Sequence, residues 1–180
     1  MRSIGFLELS SIVKGIEAAD AVIKASDVAL VFARPTCPGK YGILFSGDVA
    51  AVKAAMEAGE AVGSFAVADS AVIPRIHPQV LEALWQSAVP SAPAALGLME
   101  FFSIAAAIRA ADAAVKSAAV ELLDLRLGVG VGGKSFVALS GEVAAVAEAV
   151  RRGVAAEGGG LLVAEAVLPN PAPELYESLL

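Results

Sequence analysis

The chain repeats itself, and the repeat limits what it can fold into. Gly5 to Val28 aligns without a gap on Gly97 to Val120. Eleven of those 24 positions are identical: Gly5, Glu8, Ser11, Ile12, Ile16, Ala18, Ala19, Asp20, Ala21, Lys24 and Val28. Gly39 to Val52 aligns on Gly133 to Val146, with eight of 14 positions identical. The offset grows from 92 to 94 between the two blocks, so the second copy holds two more residues there. The tails also match, Val72-Ile73-Pro74 with Val167-Leu168-Pro169 and Pro78 with Pro173. Self-similarity on this scale implies two domains of one architecture. The expected boundaries are residues 1–88 and 93–180, on either side of a Pro/Ser/Ala linker near Gln86 to Ala94.

Each repeat carries the same order of patterns. Ser3 to Leu9 is strand-like, rich in Ile, Phe and Leu. Ser10 or Ser11 then caps a helix to about Ala25, with apolar Ile12, Ile16, Ala19 and Ile23 at helical spacing. Val28 to Ala33 predicts a second strand and Tyr41 to Phe45 a third. Ser46-Gly47-Asp48 opens a second helix with Val49, Val52 and Met56 on one face. A fourth strand is expected from Phe65 to Ile73 and a short helix from Pro78 to Trp85. The order β-α-β-β-α-β is the ferredoxin-like arrangement of an α+β fold, unpermuted and present twice.

Composition removes several classes. Apolar residues make up 57% of the 180, but much of that is alanine, and aromatics are only 6%. Each half should have a modest core, with association supplying part of the missing burial. Net charge is −6 with no basic run, which argues against nucleic acid as a partner. Mean hydropathy is +0.73. Even so, the longest uncharged stretch, Ala83 to Met99, contains Pro90, Pro93, Gln86, Ser87 and Ser91. A spanning helix needs roughly 20 predominantly apolar residues, so no membrane span is expected. Glu8 comes too early for a signal-peptide core. One cysteine excludes an internal disulfide, and the cytoplasm is the expected compartment.

Between the second and third strands of each repeat lies a tip. The first is Thr36-Cys37-Pro38-Gly39-Lys40, which holds the lone cysteine; the second is Val131-Gly132-Gly133-Lys134. Gly128 to Ser135 satisfies both G-x-x-x-x-G-K-S and G-x-G-x-x-G. Both phosphate-binding patterns need a following helix, and here Phe136-Val137-Ala138-Leu139 predicts a strand. A flexible loop of small residues is the favoured reading. His77 is the only histidine, and no Ser/His/Asp or Cys/His grouping accompanies it, so no catalytic residue is assigned. The duplicated acids Glu8/Glu100 and Asp20/Asp112 suit fold maintenance or an interface better than a catalytic dyad. Lys24 and Lys116 each end a helix, where a cation suits the dipole. A buried cysteine is usually inert, but Cys37 at a tip should be exposed. One cysteine cannot hold a metal alone.

These residues resemble a family. Gly5-Phe6-Leu7-Glu8-Leu9-Ser10-Ser11-Ile12, with Ala18-Ala19-Asp20-Ala21 and Lys24, is similar to a bacterial microcompartment shell domain. So is Gly39-Lys40 followed by Ser46-Gly47-Asp48-Val49-Ala50-Ala51-Val52. The resemblance spans nearly the whole chain in both repeats. Two such domains imply the tandem class, which forms a homotrimeric pseudohexagonal tile with alternating tips around a central pore. The cysteine-proline-glycine-lysine tip and the glycine-rich second tip most resemble the propanediol-utilisation T-type. That type implies a [4Fe–4S] cluster on the three-fold axis, with Cys37 as this chain's cofactor and metal ligand. It also implies a pore lined by Thr36, Cys37, Pro38, Gly39, Gly130, Val131, Gly132 and Gly133. Lys24 and Lys116 match the lysine of the tile edge, and Arg75 lies in an edge-like Pro-Arg-x-His segment whose second copy departs to Asn170-Pro171-Ala172.

The resemblance therefore implies a structural protein, not an enzyme, in a microcompartment shell. Its implied partners are itself, other shell hexamers and encapsulated redox enzymes. A cluster-free pore that passes a metabolite stays open. A nucleotide-binding ferredoxin-like regulator, using the loop from Gly128 to Gly133, is the competing class.

Overall fold

The structure is a computed structural model that describes residues 3–85, 88, 94–157 and 159–179. Most of the expected linker lies outside these residues. In the first repeat β1 (Ser3–Leu9) leads into α1 (Ile12–Ala25), then β2 (Val28–Thr36), β3 (Lys40–Gly47), α2 (Val49–Gly63) and β4 (Val67–Ile73). A short helix, α3 (Pro78–Ala83), follows. The second repeat runs β5 (Ala95–Phe101), α4 (Ile104–Ser117), β6 (Val120–Leu127), β7 (Ser135–Gly141), α5 (Val143–Ala156), β8 (Leu162–Leu168) and α6 (Pro173–Leu179). Each repeat forms a four-stranded antiparallel sheet, ordered β2-β3-β1-β4 and β6-β7-β5-β8. The α+β fold expected from the pattern is the one observed.

Local chemistry explains the boundaries. Ser11 caps α1, its Oγ accepting from the Lys14 amide at 3.3 Å. Ser103 caps α4 in the same way from the Ala106 amide at 3.2 Å. Ser10, the other candidate, instead donates its hydroxyl to the Ala66 carbonyl at 3.1 Å. The fourth strand starts at Val67 and not at Phe65, because Ser64–Ala66 winds into a single 3₁₀ turn. The second strand runs on to Thr36, three residues past the expected end, because pairing with β3 persists to the tip. Edge strands β2 and β6 each carry a register shift at matching places, Leu30/Phe32 and Leu122/Asp124.

In the first repeat the two helices pack on one face of the sheet. Leu7, Leu9, Ile43 and Phe45 of the sheet meet Ala18, Ala19, Val22, Val52, Ala55 and Met56 of the helices. The helices approach closely because Gly59 faces α1. A Cβ there would lie 2.7 Å from a Val22 methyl. Gly153 holds the same place in α5, where a Cβ would lie 2.9 Å from the Ala110 carbonyl.

One expectation is corrected in part. Of the apolar stripe Ile12, Ile16, Ala19 and Ile23 on α1, only Ala19 is buried, and α1 buries Gly15, Ala18, Ala19 and Val22. Ile12, Ile16 and Ile23 point outward. A Cβ on Gly15 would lie 2.4 Å from the Tyr41 side chain, so the face that carries Gly15 is pressed on the sheet and the three isoleucines lie on the other side. On α2, likewise, Val52 and Met56 are buried while Val49 is exposed.

The chain divides into two compact units, Met1–Ile76 and His77–Leu180. Sequence order assigns α3 to the first repeat, but it packs on α4 and β6 of the second unit. The reason is polar. The His77 amide donates to Asp112 Oδ1 at 2.8 Å. The Gln79 side chain accepts from the Leu122 amide at 2.7 Å and donates to the Val120 carbonyl at 3.2 Å. This amide clamps an edge strand whose main-chain groups would otherwise lack a partner.

Candidate functional site

The first tip is a tight turn. β2 and β3 pair as far as Thr36 and Lys40, leaving Cys37, Pro38 and Gly39 to reverse the chain. The Gly39 amide closes it on the Thr36 carbonyl at 3.1 Å. Gly39 sits at φ 82°, a left-handed value that a side chain would strain. The Cys37–Pro38 peptide is cis. Cys37 is a free thiol, half-buried at the turn. Beneath it Thr36 is buried, and its hydroxyl has no hydrogen-bond partner among the described residues.

The second tip is looser. Seven residues, Gly128 to Lys134, join β6 to β7. Gly128, Gly130, Gly132 and Gly133 adopt φ of 65°, 75°, 64° and 82°. The Lys134 amide returns to the Val131 carbonyl at 3.2 Å. A strand follows, β7, and not the helix that a phosphate loop requires. The nucleotide-binding alternative loses its structural basis here.

Both tips are rooted by an ion pair to the first strand of their sheet. Lys40 Nζ lies 3.1 Å from Glu8 Oε1, and Lys134 Nζ lies 2.6 Å from Glu100 Oε1. The pairs are repeats of each other but not equal in environment. The Glu8 side chain is 1% exposed and the Glu100 side chain 34%. Removing one partner of a buried pair costs several kcal/mol, whereas an exposed pair contributes little. Lys40→Met is therefore expected to destabilise the chain by about 3 kcal/mol. Lys134→Met should cost under about 1 kcal/mol. Chemical denaturation of the two variants checks the contrast; equal losses would mean that the Glu8 pair is not special.

A second duplicated pair sits on the helices. Lys24 Nζ meets Asp20 Oδ2 at 2.6 Å, and Lys116 Nζ meets Asp112 Oδ2 at 2.5 Å. Asp20 and Lys24 are both well exposed, whereas Asp112 is buried. Arg75, the third expected edge residue, is exposed and holds φ 51°. His77 caps α3, its Nδ1 accepting from the Gln79 amide at 3.4 Å. That gives the histidine a structural task. On α5, hydrogen bonds from Arg151 and Arg152 hold the Glu148 carboxyl below the ordinary carboxylate range. Among the described residues of one chain, no three His, Cys, Asp or Glu side chains group as metal ligands.

A search of known families and proteins agrees with this architecture. The BMC domain model matches twice, over residues 3–76 and 95–171. The chain belongs to the BMC-domain family, as a tandem member. The bacterial microcompartment shell protein PduT of Citrobacter freundii is 39% identical over 181 residues, which cover 99% of this chain and 97% of that protein. A crystal structure of a microcompartment protein from Desulfitobacterium hafniense DCB superposes with a TM-score of 0.86 at 47% identity. It covers 98% of this chain and 99% of its own. The single-domain-sized shell protein PduA of Citrobacter freundii is 39% identical over 80 residues, 43% of this chain and 86% of that protein.

The two BMC domains differ in what they leave open. On α1, Val13 is 67% exposed and Ile16 56%. On α4 the matching Ala105 and Ile108 are 0% exposed, and Ile104 is also buried. The adjoining edge strands follow suit, Leu30 exposed on β2 and Leu122 buried on β6. The opposite sheet face shows the reverse. Phe6, Glu8 and Leu44 are fully buried in the first BMC domain. In the second, Leu98, Glu100, Phe136, Ala164 and Ala166 line an open hollow of about 340 Å³. Sequence reasoning missed both this asymmetry and the tip-rooting pairs. The duplication of Glu8 with Lys40 in the second repeat was the available signal for the pairs.

Proposed function

We propose that three copies of this chain close head-to-tail into a pseudohexagonal shell tile with the tips around an axial pore. The observation that carries the reading is the reciprocal exposure of matched faces. The first domain leaves a helix face open and the second a sheet face. A head-to-tail contact between copies covers both at once. Because the two faces differ, the contact is heterologous, and such contacts close into a ring when the rotation from copy to copy completes a full turn. Two domains per chain fill two of six pseudo-equivalent places, so the ring closes at three. The full-length likeness to a shell protein supports the same role. Light scattering is expected to return the mass of a trimer; a stable monomer or dimer would overturn the reading.

The pore is assigned to Thr36, Cys37, Pro38 and Gly39 of the first tip and Gly130, Val131, Gly132 and Gly133 of the second. We further infer that it holds one [4Fe–4S] cluster. Iron–sulfur clusters are bound by thiolates, and Cys37 offers a free thiol at an open turn. One chain alone supplies a single such ligand, so the site is complete only where three Cys37 converge. When bound, the cluster supplies one-electron chemistry or a transferable iron–sulfur unit at the shell. The protein's part is to hold the thiols. Gly39 fixes the turn, the Lys40–Glu8 pair anchors its base, and the glycine-rich second tip lets backbone come close to the axis.

Lateral packing of tiles is assigned to Lys24, Lys116 and Arg75. The Lys24 side chain is well exposed on its helix, paired with Asp20. Lys24→Ala and Lys116→Ala are expected to weaken two-dimensional sheet formation, seen by electron microscopy, without changing the trimer mass. Variants that tile like the parent would show that these lysines are not edge residues.

A further inference from the structure

The chain contains a finished copy of a contact whose other half stands open. In the second unit, His77-Pro78-Gln79 at the start of α3 docks on α4 and β6. The His77 amide donates to Asp112, and the Gln79 amide side chain bridges the Val120 carbonyl and the Leu122 amide. The first unit repeats the receiving surface. Asp20 stands for Asp112, with the same lysine one turn on. Val28 and Leu30 stand for Val120 and Leu122, on an edge strand with the same register shift. Here Asp20 and Leu30 are exposed.

The chain also repeats the docking segment. Ala172-Pro173-Glu174 aligns with His77-Pro78-Gln79. Its turn is built alike: the Leu175 amide donates to the Ala172 carbonyl at 3.0 Å, as the Val80 amide does to His77 at 3.0 Å. In both a proline opens the helix. Ala172, Pro173 and Glu174 are exposed.

The geometry points to Asp20 and the Val28–Leu30 edge as the receptor for the Ala172–Glu174 segment of a second copy of this chain. The inference rests on the head-to-tail trimer and names its polar contacts. The Ala172 amide donates to Asp20 Oδ1, and Glu174 accepts from the Leu30 amide. One bond of the template is missing. An ionised carboxylate only accepts, so Glu174 cannot donate to the Val28 carbonyl as Gln79 does to Val120. The contact between copies is therefore one hydrogen bond short of its internal template. In the internal template the lysine keeps its pair with Asp112 and stays partly exposed.

The test uses the full chain with Cys37→Ser, so that the only thiols are those introduced. Asp20→Cys with Ala172→Cys is expected to give covalent trimers under mild oxidation, read on a non-reducing gel. Each single variant should give no ladder. In the parent, Glu174→Gln should lower the concentration at which the trimer dissociates, by about fivefold per contact for one added hydrogen bond. A double-cysteine protein that is trimeric by light scattering but yields no cross-linked species overturns the docking assignment and leaves the trimer standing. A parent protein that is monomeric overturns the trimer itself.

Discussion

Protein purified without oxygen is expected to be brown, with about one [4Fe–4S] cluster per three chains, and Cys37→Ser is expected to be colourless. The reason is stoichiometric. The chain has one cysteine, so only association of copies brings thiolates together, and the proposed three-chain tile brings three. Three thiolates leave one iron without a cysteine, so the colour should bleach in air. Cys37→Ser should remain trimeric. Cys37 lies in a three-residue turn outside the hydrophobic core, and Gly39 at its end has open space around it. Iron analysis and absorption spectra check both statements. Colourless anaerobic parent protein without iron would leave a plain metabolite pore lined by Cys37. A brown Cys37→Ser protein would mean that another residue is the ligand.

The second large effect is a contrast between matched isoleucines. Ile16→Asp is expected to give a folded chain that no longer forms the ring. Ile108→Asp is expected to give a chain that does not fold. The residues occupy the same place in the repeat, yet Ile16 is half-exposed and Ile108 has no exposed surface. A charge at the second site is buried without a partner, whereas at the first it stays hydrated until a second copy covers it. The milder pair separates the same effects. Ile108→Ala should cost about 2–5 kcal/mol in chain stability, as other large-to-small core changes do. Ile16→Ala should change chain stability by less than about 1 kcal/mol and act on association instead. Circular dichroism reports folding and light scattering reports the ring. If Ile16→Asp formed trimers as the parent does, the open helix face would not be the contact.

The repeat made most of the fold legible. Strict repetition of Ser11, Asp20 and Lys24 in Ser103, Asp112 and Lys116 marked the same helix start and the same helix end twice. The glycine tip was separable from a phosphate loop because it is followed by the short strand-like apolar run Phe136 to Leu139, where a phosphate loop needs a helix start. The burial direction of α1 was not legible. Both Ile12-Ile16-Ile23 and Gly15-Ala18-Val22 lie at helical spacing, and periodicity by itself chose the larger residues. The choice was made by space: a Cβ on Gly15 would lie 2.4 Å from the Tyr41 side chain, so the face that carries Gly15 is the one that meets the sheet.

Local chemistry along the chain was enough to determine the strand and helix order, the caps, the tight first tip and the duplicated charges. Each of these depends on residues within a few positions of one another. The tertiary structure alone decided which of two identical patterns is buried. Ile12 and Ile104 are the same residue in the same motif, one exposed and one covered. The same holds for Asp20 and Asp112, and for Glu8 and Glu100. Burial depends on what lies across space from a residue, and two identical segments in one chain do not share their surroundings.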